Sequence, residues 1–263
     1  VVCNEDYAVI SAPFASIGAT TVSDVQQGEI HVFDLSDGSF ERTIVSPNQN
    51  NSDQLGLHMS LDGTDLAATF ADTVAVWNIT TGNVKYTAGT TFGDFGSALS
   101  GIAIKDNKLA IGQPNDATDG TGTGRVLVYN SGSLQHTISN PNIGLYNNPT
   151  HFGDHIAINK DFIVVGHRNN LVEVIDVVTG NKVYTLNVQA KHTGGNVSTV
   201  DINSTTNVLI GNPYASPNQL YYYEKSELPF DYNAKFTFTT TATHLRLCEG
   251  SLTSSASISV TAD

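Results

Sequence analysis

One segment of the chain has the residue types of a cation-binding loop. Asn115, Asp116 and Asp119 lie within the run Asn115-Asp116-Ala117-Thr118-Asp119-Gly120-Thr121-Gly122. Calcium takes about six to eight oxygen ligands from a flexible loop, and these side chains with backbone carbonyls would supply part of that shell. Ala117 occupies a position where such loops place an acidic residue. The segment is therefore a candidate calcium loop, with an ordinary Asp-Gly loop as the alternative.

Two further patterns resemble ligand sites without completing them. His151 and His155 would converge on a metal in a helix, but on a strand they would lie about 13 Å apart. A zinc site there would need a loop geometry. The glycines at 120, 122 and 124 lack the lysine and the following helix of a phosphate loop. Neither pattern predicts a bound cofactor.

No residue grouping indicates catalysis. The sequence shows no nucleophile elbow, Ser/His/Asp grouping or paired carboxylates in corresponding turns with supporting context. The run Tyr221-Tyr222-Tyr223, together with Tyr214, has the side chains to stack on sugars. Alternation places Tyr221 and Tyr223 on one strand face, for which packing in the core is the favoured interpretation. We therefore expect a protein that is not an enzyme, a propeller hydrolase or lyase being the least favoured class.

The elements that would hold these residues repeat five times along the chain. Each copy has an apolar strand, a strand ending in an aromatic or aliphatic residue and Asp or Asn, a Gly-containing turn, and another strand. The aligned positions are separated by 58, 43, 54 and 45 residues, and they are Ser11, Thr69, Gly112, Gly166 and Gly211. A repeat of about 50 residues that consists of strands and turns is typical of β-propellers.

The repeats predict an all-β fold, a β-propeller of about five four-stranded blades. Residues 1–228 would form the five repeats. Residues 229–263 would complete the last blade, close the ring, form a sixth partial blade or dock onto a neighbour, because a lone hairpin is marginal. The long connections Phe14–Gln27 and Asn115–Gly124 would build an uneven rim, serving either for binding or as tolerated insertions.

Composition restricts the partners. The 263 residues carry a formal net charge of −13, with 14% charged residues. Such a surface repels phosphate backbones, so no nucleic-acid binding is expected. No run is long and apolar enough for a membrane span. Cys3 and Cys248 could form a disulfide, although two unrelated thiols are the favoured interpretation. Because the chain starts within a repeat, we expect it to be a fragment or a processed product.

The repeats resemble FG-GAP-type propeller repeats, named for Phe-Gly followed by Gly-Ala-Pro. The first half is represented by Leu55-Gly56, Phe95-Gly96 and Phe152-Gly153, and the second by Ser11-Ala12-Pro13, Gly112-Gln113-Pro114 and Gly211-Asn212-Pro213. Copies two and four lack the proline, and copy five lacks Phe-Gly. The resemblance covers roughly residues 1–225 and implies a β-propeller that in some members carries calcium loops. It also extends towards WD-repeat and quinoprotein-like propellers, through Val76-Trp77-Asn78.

The amino-acid sequences of parts of two repeats are similar to repeats in structural proteins of tailed bacteriophages, especially phages of marine bacteria. These parts are Asp34-Leu35-Ser36-Asp37-Gly38 followed by Arg42-Thr43-Ile44, and His136-Thr137-Ile138-Ser139-Asn140-Pro141. The resemblance implies a virion component, such as a tail, fibre or capsid-surface protein, within a larger assembly. Its partners would be other virion or surface proteins, with a host-surface glycan as a further candidate during attachment. The alternative is an exported bacterial surface adhesin or glycan-binding propeller located outside the cell.

Overall fold

A computed structural model describes residues 1–16, 26–47, 50, 52–71, 73–88, 101–141, 150–168, 171–187, 197, 199–212, 219–224 and 234–236. Within these residues the chain is all-β, with twenty strands and no helix. The strands form five four-stranded antiparallel sheets, each built from consecutive strands. In this part of the chain, no helix has the length and apolar character to cross a membrane.

The five sheets follow one another along the chain. Sheet 1 contains β1 (Val2–Cys3), β2 (Tyr7–Ala12), β3 (Glu29–Asp34) and β4 (Phe40–Val45). Sheet 2 contains β5 (Met59–Asp62), β6 (Asp65–Phe70), β7 (Thr73–Asn78) and β8 (Val84–Ala88). Sheet 3 contains β9 (Ile102–Lys105), β10 (Lys108–Gln113), β11 (Arg125–Asn130) and β12 (Ser133–Ser139). Sheet 4 contains β13 (His155–Ile158), β14 (Phe162–Gly166), β15 (Leu171–Asp176) and β16 (Lys182–Asn187). Sheet 5 contains β17 (Thr199–Ile202), β18 (Val208–Asn212), β19 (Gln219–Tyr223) and β20 (Ala234–Phe236).

The four-stranded sheets confirm the all-β part of the prediction. The middle strands are continuous apolar runs buried on both faces, as in β10 and β11, whereas the outer strand β12 is mostly exposed. β20 lies in the segment predicted to complete the last blade and pairs with β19. A closed ring, a closing hairpin and a sixth partial blade stay predictions, because most of residues 229–263 lies outside the described ranges.

The repeated Asp-or-Asn turn has a clear structural cause. The side-chain Oδ1 atoms of Asp34, Asn78 and Asp176 accept hydrogen bonds from the backbone N–H two residues later, at 2.7, 3.0 and 3.0 Å. Four residues after each of them, a glycine with φ between 70° and 77° donates its N–H back to the carbonyl of the same Asp or Asn. Glycine takes this left-handed conformation without strain, so the repeated motif encodes a tight turn between the third and fourth strands.

A β-bulge follows this turn at the same place in four sheets. The register shifts after Val32, Val76, Val128 and Val174. The extra residues on the outer strand are Glu41, Lys85, Gln135 and Val183. A bulge increases the local twist of the sheet, and it lies at the same position in four of the five sheets.

In sheets 1, 2 and 3, the residue after the bulge contacts the turn glycine of the following sheet. The three pairs that share this contact are Arg42 with Gly82, Tyr86 with Gly132, and His136 with Gly180. A Cβ atom added to these glycines would lie 3.6, 3.0 and 2.9 Å from the contacting side chain. The imidazole Nε2 of His136 also lies 2.9 Å from the carbonyl oxygen of Val178 in that turn. Sheets 1 to 4 are therefore stacked in chain order with one recurring geometry.

Hydrogen bonds also link the turns between the first and second strands. The Asn4 side-chain amide donates to the Gly63 carbonyl of the next sheet at 2.7 Å. Asp62 accepts hydrogen bonds from the Lys105 ammonium at 2.9 Å and the Asp106 N–H at 2.7 Å. In sheet 4, the Asn159 side-chain amide donates to the Asn203 carbonyl of sheet 5 at 2.9 Å. Polar side chains at these turns therefore bind the neighbouring sheet.

The two halves of the FG-GAP-like motif meet between neighbouring sheets. A Cβ on Gly112 of sheet 3 would collide with the carbonyl of Gly153, which precedes sheet 4. Gly56 packs in the same manner on Ser11, since an added Cβ would lie 2.6 Å from the Ser11 Cβ. Phe152 is fully buried beside Gly153. These residues therefore have a packing role.

Among the described residues, the hydrophobic core consists of four clusters, one between each pair of consecutive sheets. Between sheets 1 and 2, Ile30 and Leu66 pack with Trp77, whose side chain is 1% exposed. Truncating a buried side chain of this size typically costs about 3–5 kcal/mol. The contacts between sheets therefore supply the apolar burial that a single sheet lacks.

Cys3, on β1, is disulfide-bonded. The prediction of two unrelated thiols is therefore wrong for Cys3. Cys248, the other cysteine of the chain, lies outside the described residues. The first sheet is thus held by a covalent link as well as by packing.

Candidate functional site

The first strands of the five sheets lie next to one another in chain order. β1 contacts β5, β5 contacts β9, β9 contacts β13, and β13 contacts β17. A cavity of about 270 Å³ lies among them and is lined by residues of all five sheets. Ser11, His58, Gly101, His155 and Thr199 represent the five sheets in its wall. This central cavity is the candidate functional site.

A single register rule selects four of these residues. Each lies opposite one of the aligned positions of the repeat. It is either the β-ladder partner of that position or accepts a hydrogen bond, at its own backbone carbonyl oxygen, from the N–H of that position. The pairs are His58 with Thr69, Gly101 with Gly112, His155 with Gly166, and Thr199 with Gly211. The separation is eleven residues in the first three pairs and twelve in the last. That spacing is the sequence signal that would have located the cavity wall.

The two imidazoles in the wall are neutral at pH 7. Burial lowers the pKa of His58, and the nearby Asp154 opposes this effect only in part. Burial also lowers the pKa of His155, again against the opposing field of Asp154. Since an unperturbed histidine has a pKa of about 6.5, a lowered pKa leaves both rings uncharged at neutral pH. Each ring then offers one hydrogen-bond donor and one acceptor.

The nearest charged groups neutralise each other. The Arg168 Nε lies 2.8 Å from Asp154 Oδ2, and the Asp154 side chain is only 9% exposed. The backbone of Arg168 is fixed by a hydrogen bond from its N–H to the Thr150 carbonyl at 3.0 Å. A paired guanidinium and carboxylate present little net charge to the cavity. The site is therefore polar and close to electrically neutral.

The histidine pair of the zinc hypothesis is divided between two environments. His155 begins β13 and faces the cavity, whereas His151 lies in the preceding loop with a φ of 50°. Burial, assisted by the Arg168 charge, lowers the pKa of His151. Among the described residues, no group of three or more His, Cys, Asp or Glu side chains is arranged to hold a metal ion. Zinc binding by His151 and His155 stays a hypothesis.

The candidate calcium loop lies in the connection between β10 and β11. Asp116 is engaged within the loop, because its Oδ2 lies 3.2 Å from Arg125 Nε and its Oδ1 accepts the Thr118 N–H at 3.0 Å. The side chains of Asn115 and Asp119 are exposed. An Arg125 guanidinium beside Asp116 would compete with a cation for that carboxylate. Calcium binding by Asn115, Asp116 and Asp119 stays a prediction.

The tyrosine run is part of the core, as predicted for one strand face. Tyr221 and Tyr223 are 5% and 3% exposed and pack in the cluster between sheets 4 and 5. The Tyr222 hydroxyl accepts a hydrogen bond from the Asn207 side-chain amide at 2.7 Å. Tyr214 lies outside the described residues. The buried tyrosines Tyr221 and Tyr223 are therefore not presented for stacking on a sugar.

The two long connections differ in what the structure describes. Of Phe14–Gln27, only the two ends belong to the described residues. The connection Asn115–Gly124 is tied together by a hydrogen bond from the Gly124 N–H to the Asp116 carbonyl at 3.1 Å. It also forms a parallel bridge from Gly124 to Phe152 ahead of sheet 4. This second connection therefore fastens sheet 3 to the entry of sheet 4.

Comparison with known proteins yields no relative, since no protein-family model matches the chain and no curated protein matches it significantly. The arguments for function therefore rest on the residues and on their arrangement.

Proposed function

We propose that the chain is a non-catalytic interaction module whose five sheets close into a β-propeller. The main support is how the repeated polar side chains are used. Asn4, Asp62 and Asn159 bind the following sheet, and Asp176 caps its own turn. Residues that an enzyme would direct towards a substrate are instead employed in joining repeats. A stack joined in this manner is a rigid support for loops and edges.

Ring closure is part of this proposal. The cavity wall includes Ser11 from sheet 1 and Thr199 from sheet 5, the first and last members of the series. Two ends that line the same small cavity lie close to each other. Closing the ring would remove the unpaired sheet face at each end of the stack. Five blades are therefore proposed, with the remaining C-terminal residues outside this count.

The proposed biological role is that of a structural protein in a tailed-phage virion, such as a tail, fibre or capsid-surface component. The resemblance of the segments 34–44 and 136–141 to phage structural repeats supports this role. The strongly acidic composition, with a net charge of −13, is in keeping with contacts to protein or host surface rather than to packaged nucleic acid. Localisation in the virion follows from the same proposal.

The test is the native mass of the chain recovered from its source without recombinant expression. A fixed high-order assembly, with other proteins at constant ratio, is the expected result. Quantitative mass spectrometry of purified particles provides the stoichiometry. If the chain is absent from purified particles, the virion role is refuted. A monomer that retains the five-sheet fold would leave the interaction module in place but without this assembly.

The alternative is an exported bacterial surface adhesin or glycan-binding propeller. The observation that favours it is the cavity, where uncharged hydrogen-bonding groups of His58, His155 and Thr199 converge. This alternative predicts that the isolated monomer binds a cell-surface sugar saturably. A hydrolase or lyase would instead show turnover that is lost in an Asp154→Asn variant, because Asp154 is the carboxylate next to the cavity histidines.

A further inference from the structure

The polar side chains of the central cavity match one kind of ligand chemistry. Ser11 and Thr199 contribute hydroxyls, and His58 and His155 contribute imidazoles, all with both donor and acceptor capacity. None of these four groups carries a charge at pH 7. Asp154 and Arg168, the charged residues whose fields act on the His155 imidazole, are paired with each other at 2.8 Å. An ionic ligand would therefore lose its hydration here without gaining a counter-charge.

The apolar residues beside the cavity direct their side chains mainly into the core. Ile102, Ile156 and Val200, from the first strands of sheets 3, 4 and 5, pack in the clusters between consecutive sheets, and Met59 and Val2 do the same in sheets 2 and 1. The surface of the cavity is therefore mainly polar. A ligand that fits must present hydroxyl or amide groups over most of its surface. Sugars and similar polyols meet this condition.

The size of the cavity restricts the ligand further. Its volume of about 270 Å³ is at the lower limit of pockets for drug-sized ligands, which span roughly 300–1,000 Å³. A compact molecule the size of one monosaccharide is appropriate to this space. An extended glycan chain would place only its terminal residue inside.

We propose that the central cavity is a binding site for an uncharged, hydroxyl-rich small molecule of monosaccharide size, held by His58 and His155 and closed at its rim by Thr199. This site is additional to the structural role proposed above and does not depend on membership of a virion. Each imidazole would bind a ligand hydroxyl. The exposed position of Thr199 places it where the ligand would enter.

The experiment is saturation-transfer NMR on the full chain at pH 7 with probes matched in size. The neutral probes are D-glucose, D-galactose, D-mannose and N-acetyl-D-glucosamine. D-Glucuronate and D-glucosamine are the anionic and cationic counterparts of glucose. Imidazole resonances of His58 and His155 are followed during each titration. We expect saturable binding of at least one neutral probe, a dissociation constant in about the millimolar range for so small a ligand, and shifts of both imidazoles.

Two variants and two matched controls locate the site. Thr199→Trp would fill the rim at an exposed position that the fold tolerates, and we expect loss of binding. His155→Ala would remove a hydrogen bond, with an expected weakening of about tenfold. The control for Thr199→Trp is Thr80→Trp, at an exposed turn remote from the cavity. The control for His155→Ala is His31→Ala, on β3. Both controls are expected to bind as the unmodified chain does.

Three results would overturn the proposal. One is the absence of saturable binding for all neutral probes at concentrations up to about 100 mM, well above a millimolar dissociation constant. The second is binding of the charged probes in preference to the neutral ones. The third is binding that the Thr199→Trp variant retains in full, since a ligand outside the cavity would be insensitive to a filled rim. None of these results bears on whether the chain occurs in particles, so the two proposals fail independently.

Discussion

His167 makes the stability of the fold sensitive to acid. Its side chain is fully buried, and within the described part of the chain neither ring nitrogen has a hydrogen-bond partner. The ring stacks on Phe152 with centroids 4.9 Å apart. Burial, with a contribution from the positive charge of Lys182, lowers the pKa of His167 to about 3. Protonating this ring in the folded state is therefore strongly unfavourable.

The size of the effect follows from linkage. The unfolded chain binds a proton at His167 below a pKa of 6.5, whereas the folded chain binds it only near 3. The stability contribution is complete above pH 6.5 and is lost as the pH falls from 6.5 towards 3. A difference of about 3.5 pKa units corresponds to at most about 5 kcal/mol. Over the range from pH 7 to 4.5, the expected loss is about 3 kcal/mol.

Urea unfolding of the wild type and a His167→Phe variant, at several pH values from 7 to 4.5, measures this loss. Phenylalanine keeps the contact with Phe152 and removes the titrating group. At pH 7 the variant should be at least as stable as the wild type, because no hydrogen bond to a described residue is lost. Its free energy of unfolding should fall less on acidification, by about 3 kcal/mol over this range. The variant His31→Gln, at a half-buried position on β3, controls for the general effect of a histidine substitution.

The neighbouring carboxylate of Glu173 gives the opposite expectation for the pKa of His167. The Glu173 carboxylate is fully buried, and its Oε1 lies 4.0 Å from His167 Nε2. Glu173 is already held by the Thr185 hydroxyl at 2.7 Å and by the Lys182 ammonium at 3.9 Å. If Glu173 instead formed an ion pair with a protonated His167, the pKa of His167 would stay near its ordinary value. Identical pH profiles for wild type and His167→Phe would then refute the claim that burial keeps His167 neutral.

Three further predictions concern the joints between sheets. Gly180→Ala should lower the free energy of unfolding in urea by about 2–3 kcal/mol, because the new Cβ contacts His136 and the backbone has a positive φ. The control Gly38→Ala has a similar φ but no described atom within 4 Å, so it should cost about 1 kcal/mol. Equal costs for the two variants would contradict the proposed joint. Asp62→Ala should lower stability by about 1–2 kcal/mol by removing two hydrogen bonds to sheet 3, and an unchanged urea midpoint would show that these bonds contribute nothing. Cys3 should resist alkylation by iodoacetamide in denaturant without reductant, so a modified Cys3 would show that the disulfide is absent.

The fold was predictable from the sequence because its repeats are local. The step of about 50 residues, the Asp-or-Asn turn and its glycine all concern contacts within one hairpin, where neighbouring residues determine the geometry. β20 lies within residues 229–263, the segment that the sequence predicts to complete the last blade. Ring closure is different in kind, since it depends on contacts between the first and last parts of the chain.

The candidate site was harder to predict because it is assembled across repeats. His58 and His155 belong to different sheets, and only the register between first and second strands brings them to the same cavity. A histidine in one strand looks the same in sequence whether it faces the cavity or solvent. The candidate calcium loop was proposed from residue types alone, and composition could not show that Arg125 contacts one of its carboxylates. Pairings of this kind require three-dimensional information.

The joint between sheets runs in one direction. The outer strands of sheets 1, 2 and 3 contact the turn of the sheet that follows, in the same manner for Arg42, Tyr86 and His136. Such a head-to-tail joint does not itself fix how many units are joined; the angle between successive units determines whether they form a ring or an open spiral. Duplication or deletion in the gene could therefore add or remove a whole repeat. Each remaining repeat would still have a matching surface on the repeat before it and on the repeat after it. Evolution of ring size in such proteins would need changes in twist at the bulges rather than a new interface.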